Sequence, residues 1–296
     1  MRKKDLAKIK IGENIDLFSC PICEDSMYLH KNSLFCSNNH CFDLSKNGYI
    51  NLLRNSVQSK YDKKLFVARN IIIKSGIFNK FLKRLSEIIL ENINEDKAKI
   101  RILDAGCGEG SHIAKTINYL NEKSLVELIG VGLDISKQGI YIAAREYPGI
   151  IWCVGDLTNT PFMANQFDIL LNILSPANYN EFNRVLNDKG LIVKVVPGSK
   201  YLQKLRNLFY KQKDKKSYSN EQVIDLFQDN FNIILSEQIL YKQKINQQNI
   251  KYLLRMTPLS WGITKEKLHE IANIGIYRIT IDLNIIIGTK EERYNY

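Results

Sequence analysis

Cys20 and Cys23 are separated by two residues, Cys23 and Cys36 by twelve, and Cys36 and His40 by three. Each close pair can sit on a tight turn, and two such turns can bring four soft or borderline donors into a tetrahedron around zinc. A closed site with four protein ligands is structural, and metal binding of this kind can supply roughly 10–16 kcal/mol of folding free energy to a small module. A unit of this size has little core with which to fold otherwise. His30 and Cys41 are spare donors, Cys41 adjoining His40 closely enough to exchange roles with it. The competing reading is four reduced, buried side chains.

A second group of residues lies in IRILDAGCGEG, where an apolar run passes into a helical pattern through Gly106, Gly108 and Gly110. Glycines there let the backbone approach a ligand, and the helix that follows offers free amide donors. A glycine-rich turn alone is a weak signal, because nicotinamide and flavin enzymes use related loops. Two further acids add to it. The next apolar run ends in GLDIS and the third in VGD, which places Asp134 and Asp156 at strand carboxyl ends. Asp134 is positioned to accept from both hydroxyls of a ribose, and Asp156 to meet an adenine amino group. This order is that of class I S-adenosylmethionine-dependent methyltransferases, with a dinucleotide oxidoreductase as the main competitor. Of the remaining candidates, Cys107 reads as a small loop residue, Cys153 as core and His112 as surface; His269 carries no signal.

The elements that must position these groups follow from periodicity. Apolar runs at 100–103, 128–133, 150–154, 167–173 and 191–196 have strand length, and helix-period segments at 111–120, 136–147, 177–186 and 201–210 lie between them. That alternation predicts a mostly parallel sheet covered on both faces. Segments 231–240 and 277–287 read as two antiparallel strands at one edge, and 65–91 as two helices interrupted near Gly76. The expected fold is α/β: a Rossmann-like, seven-stranded methyltransferase sheet with a small N-terminal zinc-binding domain. The expected divisions are a zinc module at 1–55, a helical connector at 56–97 and the methyltransferase domain at 98–296.

Composition sets the surroundings. The chain has 296 residues, 45% hydrophobic and 25% charged, which suits a globular protein. Lysine plus arginine number 42 against 31 acids, a formal net charge of +11, and such an excess favours a polyanionic partner. The run 211–216 reads as a charged, solvated loop. The basic N-terminus lacks a long apolar stretch and a small-residue cleavage site, and no run of about 18 apolar residues occurs, so a secretory signal and a membrane span are not expected. The expected location is the cytoplasm, where cysteines stay reduced.

With zinc motif and glycine loop in this order, the chain resembles the zinc-containing 23S rRNA (guanine-N1)-methyltransferase family, which includes tylosin-resistance methyltransferases. The resemblance spans nearly the whole chain. It is carried by CPIC, CSNNHCFDLSKNGYINLL, LFVARNIIIKSGIF, LDAGCGEG, GLDISKQGI, LNILSPANYNEFNRVL, KVVPGSKYLQKLR and MTPLSW. It implies structural zinc on Cys20, Cys23, Cys36 and His40. It implies S-adenosylmethionine contacts at Phe78, Gly108, Glu109 and Tyr201, where Phe78 and Tyr201 stand in place of the tyrosine and histidine of one branch. These departures, with NILSPANY, look more like the Gram-positive branch.

The implied partner is a hairpin of 23S ribosomal RNA. Guanine N1 is buried in a Watson–Crick pair, so the target should be unpaired or flipped out. Asn172 and Ser175, after the fourth parallel strand, are the candidates to orient it; Ser175 reads equally as the N-cap of the next helix. The general base is not identified. Tyr28, Phe35, Phe42 and Tyr49 are candidates to stack on loop bases. The competing functions are methylation of another RNA or a small molecule, or RNA binding without catalysis. Oligomeric state, a homodimer included, stays open.

Overall fold

The computed structural model describes residues 1–55, 62–93, 97–209, 219–260, 262–275 and 278–290. The chain opens with α1 (Lys3–Glu13), followed by β1 (Met27–His30), β2 (Ser33–Cys36) and β3 (Cys41–Asp43), which form an antiparallel three-stranded sheet. β4 (Ile50–Asn51) comes next, then helices α2 (Lys63–Lys74) and α3 (Asn79–Asn92), broken at the expected place. The alternating region runs β5 (Lys99–Ala105), α4 (Ser111–Asn121), β6 (Glu127–Asp134), α5 (Lys137–Glu146), β7 (Ile151–Val154), β8 (Phe167–Ile173), α6 (Tyr179–Val185) and β9 (Leu186–Pro197). It ends with α7 (Gln203–Phe209), α8 (Glu221–Gln228), β10 (Asn232–Lys244), α9 (Gln247–Met256), α10 (Lys265–Asn273) and β11 (Arg278–Thr289).

The large sheet has the order β10-β11-β9-β8-β5-β6-β7-β4. β11 runs antiparallel to both β9 and β10, as the edge pair read from the sequence requires, while the ladder from β9 to β4 is parallel. The sheet is therefore eight-stranded, not seven-stranded. The extra strand is β4, where Ile50 and Asn51 pair with Cys153 and Val154. A two-residue strand has no room for an alternation pattern, so nothing in the sequence marked it.

Each face of the sheet has its own cover. Ile72, Phe81, Leu85, Ile113, Ile140 and Leu253, from α2, α3, α4, α5 and α9, pack with Trp152 and Leu171 on one face. The other face carries α6, α8 and the N-terminal module. Parallel strands need apolar cover on both sides, yet the crossover from β7 to β8, residues 155–166, contains no helix. The module fills that space. Leu17, Phe18 and Leu34 join Leu103, Cys153, Phe162 and Phe167 in one apolar cluster, with Phe18 and Phe162 ring centroids 5.9 Å apart and Phe162 and Phe167 5.1 Å apart. Backbone bonds from Ser19 N to Pro161 O (3.1 Å) and from Met163 N to Leu17 O (2.8 Å) fix the seam. Each fully buried phenylalanine contributes about 1.5–3 kcal/mol of transfer free energy, so the zinc module and the sheet share one core.

Among the described residues no helix is long and apolar enough to cross a membrane. The charged run 211–216 lies outside the described residues.

Candidate active site and metal centre

The cysteine spacing produces the cluster expected of it. The ligand atoms of Cys20, Cys23, Cys36 and His40 all lie within 4.8 Å of one another. Cys23 Sγ is 3.6 Å from Cys36 Sγ, and His40 Nδ1 is 3.4 Å from Cys20 Sγ and 3.3 Å from Cys36 Sγ. Tetrahedral zinc with bonds of about 2.3 Å to sulfur and about 2.0–2.1 Å to nitrogen has edges of about 3.5–3.8 Å; the separations here are close to that, and three thiols with one imidazole are donors suited to the ion. Each pair sits on a turn: Glu24 N donates to Cys20 O and Asn39 N to Cys36 O, with Glu24 (φ 64°) and Asn39 (φ 61°) in the left-handed region. Asp25 ties the turns together by accepting from Ser37 Oγ and Asn38 Nδ2. Cys41 is exposed on β3 and His30 packs edge-on against Phe35, so neither spare donor joins the cluster.

A cavity of about 990 Å³ opens beyond the carboxyl ends of the parallel strands, the place where open α/β sheets bind ligands. Its floor is the turn after β5. Gly106 (φ 84°) and Gly110 (φ 78°) are left-handed, and a Cβ on them would run into Ser175 Oγ and the Trp152 ring respectively. Here glycine clears space for protein packing as much as for a ligand. Asp134 lines the cavity, its Oδ2 accepting from Gly108 N (2.8 Å) and its Oδ1 from Ser136 N (2.7 Å). Burial pushes its carboxyl up, against the pull of those amides. Asp156, Phe78 and Tyr201 line the same cavity; Phe78 is buried, and burial raises the Tyr201 phenol so that it remains a donor.

Charge is concentrated behind the glycine turn. Arg69, from α2, lines the cavity and pairs with buried Glu109 at 3.1 Å. Burial opposes its charge, but the carboxylates of Glu109, Asp104 and Asp134 hold the guanidinium above its ordinary value. Burial pushes Asp104 up to about 7, with Arg69 acting against that rise. His112 is buried rather than at the surface: α4 turns it toward Phe78 and Phe81, and Arg69 Nη2 lies 3.2 Å from its Nδ1. Burial, then the Arg69 charge, keeps it neutral. Asp104 Oδ2 and His112 Nε2 have no hydrogen-bond partner among the described residues, and Glu109 Oε2 meets the Arg69 guanidinium as an ion pair. Buried polar atoms without partners are expensive; on the cavity wall these are His112 Nε2 beside the Arg69 guanidinium and Asp134, and a ligand carrying a carboxylate and a ribose matches them.

The remaining wall is the end of β8 and β9. Ser175 lines the cavity, and the N-cap of α6 is Asn178, whose side chain accepts from Glu181 N; Ser175 is therefore not a helix cap. Leu174 beside it is left-handed (φ 54°), a strained state for a branched residue, held by a bond from its amide to Val195 O (3.0 Å). Asn172 is fully buried behind this wall. Its Nδ2 donates to Ala105 O (2.8 Å) and Pro176 O (2.9 Å), and its Oδ1 accepts from Lys194 Nζ. Lys194, which also donates to Ser175 O (2.8 Å), lines the cavity. The roof includes Met256, Thr257 and Leu259, from the MTPLSW segment. Of the sequence-selected residues, Gly106, Gly108, Asp134, Asp156, Phe78, Tyr201 and Ser175 meet in the cavity; Glu109, Gly110 and Asn172 stand behind it. Arg69 and Lys194 were missed, although a lone charge in LFVARNIII and in LIVKVVP was a readable signal.

Comparison with known proteins bears on the same two sites. Residues 18–63 match the zinc-ribbon family described as RlmA, N-terminal, and residues 102–190 match a methyltransferase domain. The Bacillus subtilis protein YxjB, provisionally named a 23S rRNA (guanine-N(1)-)-methyltransferase, is 36% identical over 280 residues, covering 94% of this chain and 98% of that protein. The chain belongs to the 23S rRNA (guanine-N1)-methyltransferase family. A second member, the 23S rRNA (guanine(748)-N(1))-methyltransferase of Streptomyces fradiae, is 24% identical over 90% of this chain and 95% of its own length. In this family member the zinc ribbon and the methyltransferase sheet are the two units built above, joined through a common core.

Proposed function

We propose that the protein transfers a methyl group from S-adenosylmethionine to N1 of a guanine in a hairpin loop of 23S ribosomal RNA, in the cytoplasm. In this reading residues 1–55 are the RNA-recognition module, 56–97 the helical connector and 98–296 the methyltransferase domain. The observation that carries it is the continuity of one cavity from Asp134 and Asp156 past the glycine turn to Ser175 and Lys194.

When bound, the donor supplies an electrophilic methyl on a positively charged sulfur. Asp134 takes the ribose hydroxyls on the lone pairs that Gly108 N and Ser136 N leave free. Asp156 meets the adenine amino group. Arg69 faces the donor's carboxylate, and Glu109 holds the guanidinium in place from behind. Phe78 supplies an apolar wall and Tyr201 a hydroxyl donor. Ser175 faces the acceptor base, while Asn172 acts on the site through Lys194 rather than by touching the base. The net charge of +11 favours RNA over a small acceptor. In the ribbon, exposed Tyr28 stacks on Phe35 at 5.9 Å and offers a platform to a loop base, whereas Tyr49 is buried in the core.

The test is transfer of labelled methyl from the donor to a 23S hairpin transcript by zinc-loaded protein, followed by digestion to nucleosides. Label in N1-methylguanosine supports the reading; label in any other nucleoside, or none, contradicts it.

A further inference from the structure

N1 of guanine carries a proton that must leave as the new bond forms, and none of the groups assigned above accepts it. Lys194 lies on β9 in the run Leu191–Val196, where the five other residues are apolar, and is 4% exposed at the cavity wall. Among the described residues its Nζ has two partners, Asn172 Oδ1 and Ser175 O, both carbonyl oxygens. Asn172 cannot turn away, because its Nδ2 is committed to Ala105 O and Pro176 O, which leaves Oδ1 aimed at the lysine. A neutral amine has two N–H groups and one lone pair. Two carbonyl acceptors take both N–H groups, so the lone pair occupies the remaining tetrahedral direction.

From this geometry we infer that Lys194 is the general base that removes the N1 proton of the target guanine, with Asn172 and the Ser175 carbonyl as its positioning groups. This rests on the guanine-N1 reading proposed above. In the step, the N1–H bond breaks and its proton bonds to the lone pair of Nζ. The electron pair left on N1 forms the N1–methyl bond, and the methyl–sulfur bond breaks with its pair staying on sulfur. The positive charge that began on sulfur ends on the Lys194 ammonium, and the sulfur leaves as a neutral thioether. Burial pushes the ammonium down to about 8, so the neutral amine is reached as pH rises through that value, near the range in which a general base is most effective. No neighbouring charge opposes it: β11 presents Ile286 opposite, β8 presents Asn172, and Lys194 forms no ion pair with any described residue. The charged or titratable groups sharing the cavity are Arg69, His112, Asp134, Asp156, Tyr201 and Arg206.

The experiment uses full-length, zinc-loaded protein with a 23S hairpin transcript, and compares wild type with Lys194→Met and Lys194→Arg. Wild-type kcat should rise with pH through about 8 and then level. Both variants should lower kcat by roughly 10²–10⁴-fold and abolish that rise, with donor affinity by calorimetry unchanged within a few-fold. Arginine keeps the charge and the donors but lacks an available lone pair, so a Lys194→Arg enzyme with wild-type kcat and pH profile would overturn the assignment. Selective ¹⁵N labelling of lysine in wild type gives a readout independent of variant folding. Titration of the Lys194 signal together with kcat supports the base; an ammonium that persists while kcat rises overturns it. Wild-type protein that makes no N1-methylguanosine would instead defeat the reading on which this role rests.

Discussion

Replacing Arg69 by methionine keeps most of the aliphatic packing of α2 but removes the cation that faces Glu109, Asp104 and Asp134. Glu109 is fully buried and loses its ion-pair partner at 3.1 Å. Breaking a buried pair from one side costs about 3–5 kcal/mol. The variant can lower that cost by taking up protons, so its size should depend on pH with a definite sign. Burial raises the folded carboxyls of Asp104 and Glu109, and Arg69 now restrains that rise. Without it both move higher still. A carboxyl whose folded pKa exceeds its unfolded value binds more protons when folded, so its contribution to stability is lost as pH rises, by about 1.4 kcal/mol per pH unit for each proton. In the native protein Asp104 has given up its proton above about 7; in the variant uptake continues beyond that point. The difference in stability should therefore widen above about pH 7, which urea denaturation at two pH values with zinc held constant will measure. Donor affinity should also fall by about tenfold or more, since a hydrogen bond to a charged group is worth roughly 1.5–3 kcal/mol. A loss below about 1 kcal/mol at both pH values, or one that shrinks as pH rises, would refute this account of the charge cluster.

Gly106→Ala places a Cβ against Ser175 Oγ on a left-handed residue, so stability should drop by at least the roughly 1–2 kcal/mol of backbone strain, with weaker donor binding in calorimetry. Phe162→Ala, at the seam between ribbon and sheet, should cost about 3–5 kcal/mol and speed proteolysis within the first 55 residues more than elsewhere. Zinc removal by a chelator should expose that same segment to protease and weaken RNA binding, while donor binding, whose cavity takes no residue from the ribbon, changes little. Loss of donor binding in parallel with zinc would show that the two sites are not separable in this way.

The parts legible in the sequence were those carried by local pattern. Cys20, Cys23, Cys36 and His40 came together because their spacing specifies two turns, and the strands β5 to β9 stood out because burial on both faces leaves continuous apolar runs. What escaped depended on partners distant in the chain. β4 becomes a strand only because the β7 edge is free to receive it. Ser175 as a helix cap and Ser175 as a cavity residue are indistinguishable until Asn178 is seen to cap α6. Asn172 looked like a base-orienting group from its place near the carboxyl end of the fourth parallel strand, but it lies within β8, where three hydrogen bonds hold it behind the wall. His112 looked like surface because the first turn of a helix is commonly solvated, and only the packing of α3 beside α4 encloses it.

The most direct measurement of the central claim is mass-spectrometric mapping of methylated positions in 23S ribosomal RNA from cells with and without the gene. The account predicts that one N1-methylguanine in a hairpin loop disappears with the gene and returns with the wild-type protein. An unchanged 23S methylation map would contradict it.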